Sequence, residues 1–146
     1  MSELLDRLGV LVGDWDLVGD HPMLDAPVHG RATFSWLDGP GLLVQRTTVE
    51  HPDVPDNVAV IGADGGSGEY TLVYTDVRDV QRVYRMALEE ADGGLVWRQS
   101  RDAPGFAQRF TGTFDEGRTA IDCMWQLCVD GITWNDDLEV AFTKVG

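Results

Sequence analysis

Basic side chains are scarce in this chain: eleven Lys and Arg stand against twenty-five Asp and Glu, giving a net charge of −14 and an isoelectric point near 4.3. The arginines are scattered, and Lys144 is the only lysine. A phosphate backbone approaching such a surface meets repulsion with no concentrated basic patch to offset it, so nucleic acid is not an expected partner. Long apolar runs are missing too, none exceeding five residues. That is far short of a membrane span, and the N-terminus lacks the basic start and apolar stretch of a secretory leader. Neither membrane insertion nor export is expected, and the acidity reads as a well-solvated exterior.

Cysteine is nearly absent. Cys123 and Cys128 fall in one expected strand, where five residues at about 3.3 Å each put them about 16 Å apart and on opposite faces. No disulfide closes over that distance. His21, His29 and His51 lie far upstream without metal-ligand spacing, so no metal site is expected. Two reduced, packing thiols fit a cytoplasmic protein.

What the chain does have is evenly spread punctuation. Seventeen glycines and six prolines are distributed along 146 residues, a length that suits one domain spanning 1–146. Ser2 can cap a short helix whose Leu4, Leu5, Leu8 and Leu11 share one face, and so short a helix must pack on something larger, as a lid or plug. From Gly13 onward the apolar period is two. Strands are expected at 13–18, 28–36, 42–50, 58–63, 69–75, 80–89, 95–101, 108–115, 119–129 and 133–145. Between them stand Asp38-Gly39-Pro40-Gly41, the proline-stiffened loop from His51 to Asn57, Asp64-Gly65-Gly66-Ser67-Gly68, Asp92-Gly93-Gly94, Glu116-Gly117 and Asp130-Gly131, all turn or hairpin signals. Short connections and no second helix predict an all-β, closed, antiparallel up-and-down barrel of about ten strands. Closure removes the sheet edges that would otherwise template aggregation.

Gly13-Asp14-Trp15, preceded by the leucine-rich helix, resembles the signature of the calycin superfamily, which includes lipocalins, fatty-acid-binding proteins and nitrobindin-like barrels. Together with Gly30-Arg31-Ala32-Thr33-Phe34, Val60-Ile61-Gly62-Ala63-Asp64 before Tyr70, and Asp130-Gly131-Ile132-Thr133-Trp134, it is similar to a bacterial lipocalin-like domain family. The resemblance covers nearly the whole chain and implies a barrel that holds a small molecule. Nitrobindin-like members bind haem through a histidine on the last strand. Asp137 stands at that position here, and a carboxylate is a poor axial ligand, so neither haem nor another cofactor is expected.

The candidate ligand-binding residues are the aromatics on alternating positions, Phe34, Trp36, Tyr74, Tyr84, Trp97, Phe110, Trp125 and Trp134. They would line a pocket for an apolar or amphipathic ligand or fill a solid core. Arg82 shares a face with Tyr84 and Met86, and Arg46 one with Leu42 and Val44, so either arginine could meet an anionic head group inside the barrel. Arg82 could equally pair with Asp76, Asp79 or Glu89 on the surface. Two other roles stay open. An enzyme of isomerase or cyclase type would use Asp122, Asp136 or Asp137 beside a tryptophan as its acid or base, although no nucleophile or phosphate-loop motif is present. An interaction module, a homodimer included, would instead show a filled barrel.

Overall fold

The computed structural model describes residues 2–39 and 41–146. Ser2 caps the helix α1 (Glu3–Leu8), its hydroxyl oxygen accepting from the Leu5 amide at 3.2 Å, and a 3-10 turn (Gly9–Leu11) carries the chain into the first strand. The strands are β1 (Gly13–Asp20), β2 (Val28–Trp36), β3 (Leu42–Val49), β4 (Asn57–Asp64), β5 (Glu69–Asp76), β6 (Val80–Ala91), β7 (Gly94–Arg101), β8 (Ala107–Phe114), β9 (Ala120–Cys128) and β10 (Asn135–Lys144). Each pairs antiparallel with its sequence neighbours, and β1 pairs with β10, closing a ten-stranded barrel. Among the described residues no helix is long and apolar enough to cross a membrane.

Turn chemistry sets the hairpins. Asp92 (φ 51°) and Gly93 (φ 80°) both take left-handed conformations, as the two-residue turn between β6 and β7 requires. The final strand starts later than the expected Thr133. The Asp130 carboxylate accepts from the amides of Ile132 at 2.8 Å and Thr133 at 2.7 Å, holding that stretch, Trp134 included, as a loop. Of the turn at 38–41, Pro40 lies outside the described residues. Gly30 marks a close approach of two strands, since a Cβ there would meet the Thr48 carbonyl oxygen at 2.6 Å.

The helix closes one end. Leu8, Leu11 and Trp15 have no exposed surface, the Trp15 indole donates to the Leu11 carbonyl at 2.8 Å, and the Tyr70 hydroxyl donates to the Leu4 carbonyl. Above this plug the rings touch in sequence. Trp15 meets Phe142 edge-on at 6.3 Å, Phe142 meets Trp97 at 5.8 Å, and Trp97 contacts Phe34 at 6.1 Å and Phe110 at 4.8 Å. Phe110 then reaches Trp125 at 4.9 Å, and Trp125 reaches Tyr84 at 5.5 Å. Packed rings therefore fill the barrel from the helix to the level of Trp125.

Candidate ligand-binding site at the open end of the barrel

The opposite end carries the connections at 21–27, 50–56, 77–79, 102–106 and 129–134, and no helix covers it. Strand registers fix which side chains look inward there. Tyr74 pairs with Arg82, Leu72 with Tyr84, Arg101 with Gln108, and Phe110 with Trp125, so these residues share the interior face with the packed rings below them. Yet Tyr74, Arg82, Arg101, Trp125 and Leu138 are only half-buried, whereas Phe34, Met86, Trp97 and Phe110 are buried. Water thus reaches more of the inner wall at this end, whereas at the other end Trp36 and Lys144 are the half-buried side chains of that face beside a sealed core.

Two hydrogen-bonded groups order the mouth. The buried Tyr84 hydroxyl donates to Gln108 Oε1 at 2.8 Å. Burial raises its pKa, and the Arg82 and Arg101 guanidiniums oppose that shift. On the adjacent strand the Tyr74 hydroxyl donates to Asp76 Oδ2 at 2.7 Å, and Arg78 closes on the same carboxylate at 2.7 Å. The Asp76 side chain is fully enclosed. The hydrogen bond from Arg78 holds its carboxyl well below the usual range, while burial and then Asp76 push the Tyr74 hydroxyl up.

Arg82 has a different environment. Its guanidinium lies 4.9 Å from the Phe106 ring centroid, and no described carboxylate is within ion-pair distance of it or of Arg101. The three carboxylates open to Arg82 by sequence are engaged elsewhere. Asp76 holds Arg78 and Tyr74, Asp79 accepts from Gln81 at 3.3 Å, and Glu89 pairs with Arg98 at 3.0 Å.

Several candidates stand away from the mouth. Arg46 pairs across the strands with Thr33 and Val58 on the outer face and is exposed, which corrects its grouping with the interior. Trp134 lies against the outer wall with the Arg109 guanidinium 4.2 Å above its ring, so it lines no interior surface. Trp36 packs against the core at the helix end. Asp122 and Asp136 are exposed, the latter accepting from Gln126 at 3.0 Å on the outside. Asp137 occupies a bulge in β10 and accepts from His21 Nε2 at 2.8 Å. His21 Nδ1 in turn accepts from the Met23 amide at 3.0 Å, so neither ring nitrogen is free. This pair does not fit axial ligation of haem. Nor does it offer a free general base, since the imidazole has no open lone pair.

Sequence reading overlooked Arg101 and Gln108, although both follow the phase of Trp97 and Phe110 along their strands. A cleft of about 330 Å³ lies among the open-end connections between residues 23–29 and 50–53, and a groove of about 390 Å³ runs over the outer wall of β6–β8. The ion pairs Arg85–Glu69 and Arg98–Glu89, each at 3.0 Å, wall that groove. No group of three metal-ligating side chains occurs among the described residues.

No protein-family model matches the chain, and no curated protein does. In three dimensions the chain is similar to Rv2717c from M. tuberculosis, with a TM-score of 0.72 at 15% sequence identity over 100% of this chain and 99% of that one, a likeness of fold.

Proposed function

We propose that this chain is a calycin-type binding protein that receives a small apolar or amphipathic molecule at the open end of its barrel. The observation that carries the reading is the burial contrast along one continuous inner wall: Phe34, Met86, Trp97 and Phe110 are sealed, whereas Trp125, Tyr74, Leu138, Arg82 and Arg101 towards the mouth are half-buried around the enclosed Tyr84 and Gln108. An apolar ligand seated there would cover Trp125, Tyr74 and Leu138 and extend the ring column upward. The rings below give that seat a rigid floor, which limits the depth of insertion and favours a ligand held near the rim. The test uses an uncharged solvatochromic dye with intrinsic tryptophan fluorescence as readout. A saturable change that Trp125→Ala weakens by about tenfold and Trp134→Ala leaves untouched is the expected result. Dye that does not bind, or binding indifferent to Trp125, would overturn the proposal.

A further inference from the structure

Cations inside the mouth are out of keeping with the rest of the molecule. In a chain with twenty-five carboxylates, six of the ten arginines are matched to a carboxylate: Arg7, Arg31, Arg78, Arg85, Arg98 and Arg118. Arg109 caps Trp134 and donates to Gln126 at 2.7 Å, and Arg46 is solvated on the outer face. Arg82 and Arg101 alone turn inward, half-buried, with no described carboxylate in reach. A guanidinium withdrawn from water without a counter-charge is costly, and one is hard to account for beside so many free acids. Two on adjacent strands make a recess of positive charge.

The hydrogen-bond order beside them is polarised in the same sense. The Tyr84 proton is committed to Gln108, so towards a neighbouring guanidinium the hydroxyl can act only as an acceptor. In the seat Tyr84 has the role of a positioning residue. Phe106 lies against Arg82 from the rim, with its ring centroid 4.9 Å from the guanidinium carbon.

We infer that Arg82 and Arg101 form an oxyanion seat, and that the molecule bound at this mouth carries a carboxylate or phosphate head group held by both guanidiniums, with its apolar part on Trp125. The inference rests on the binding function proposed above and names the ligand class for it. No bond is made or broken. The negative exterior keeps other anions from lingering near the surface, so the seat selects those whose apolar part gains from the ring column.

Four probes of one chain length separate the outcomes: dodecanoate, its methyl ester, dodecanol and dodecyl phosphate, each titrated against the native protein by calorimetry or tryptophan fluorescence. The acid, the phosphate or both should bind at least about tenfold more tightly than ester and alcohol, and which of the two leads distinguishes a carboxylate from a phosphate ligand. Arg82→Met and Arg101→Met should each erode that preference and the double variant abolish it while still binding the ester. Arg82→Lys should retain part of it, and Tyr84→Phe should reduce it less than loss of either arginine. Urea midpoints and circular dichroism establish that each variant is folded. Equal affinity of acid and ester in the native protein, or a preference that survives in the double variant, overturns the oxyanion seat and leaves the binding function standing. Failure of all four probes and of the neutral dye overturns both.

Discussion

The two ends of this barrel are built from the same alternating strands and differ in what their inward side chains do. At the helix end the Trp15 indole donates to Leu11 and the Tyr70 hydroxyl donates to Leu4, and among the described residues the buried Trp97 indole nitrogen alone lacks a partner. At the open end the inward face carries two guanidiniums with no described acid beside them, under a half-buried ring. Close packing stabilises the first arrangement by burial and dispersion. The second has groups left over once folding is complete, the condition for binding something else.

The comparison predicts unequal losses. Trp15→Ala should destabilise by about 3–5 kcal/mol, as large-to-small changes in packed cores do. Trp125→Ala, at the boundary with water, should cost clearly less. Urea unfolding of both variants decides it, and equal losses would mean that the ends are packed alike.

Glycines on the same inner wall sharpen the contrast. A Cβ at Gly112 would meet Ile121 at 3.1 Å, Cys123 at 3.2 Å and Phe110 at 3.3 Å, so Gly112→Ala should cost about 1–3 kcal/mol by overpacking. At Gly19, near the mouth, the nearest atom is Leu138 Cδ1 at 3.7 Å, and Gly19→Ala should change stability by less than about 0.5 kcal/mol. Thermal midpoints suffice to rank the pair.

Within the packed half, two tryptophans differ by one hydrogen bond. The Trp97 indole nitrogen is buried without a described acceptor, whereas that of Trp15 is paired. Replacing either by Phe removes similar volume, but only Trp15→Phe strands a carbonyl. Its cost should exceed that of Trp97→Phe by about 1 kcal/mol, measured in the same denaturant series.

The smallest effect concerns pH at the mouth. Asp76 is more acidic folded than unfolded, so it contributes stability at neutral pH, and that contribution fades as pH falls below about 4, the unfolded value. Tyr74, whose pKa is raised, contributes below about pH 10 and ceases to do so as pH climbs further. Asp76→Asn should therefore flatten the acid limb of a stability-against-pH profile and leave the Trp15 end unaffected. An unchanged acid limb would show that the Tyr74–Asp76–Arg78 cluster carries no such linkage.

Much of this was legible in the chain. Turn pairs such as Asp92-Gly93 locate hairpins because few residues accept a positive φ, and the phase of Arg82, Tyr84 and Met86 follows from clean alternation. Alternation failed where it carries no phase. In Leu42-Leu43-Val44 both faces of the strand are apolar, so Arg46 could be placed on either side, and only pairing with Thr33 and Val58 puts it outside. Trp134 was misplaced because Asp130 ends the strand pattern through side-chain to backbone bonds that composition hints at without fixing.

By itself the sequence determined the helix cap, the ten strands and their order around an antiparallel barrel, because capping, turn conformation and period-two burial are decided within a few residues. Only the tertiary structure decided which cations are left unmatched. Asp76 is taken by Arg78 and Tyr74, and Glu89 by Arg98. Such competition is settled by distances between strands, which no local pattern encodes.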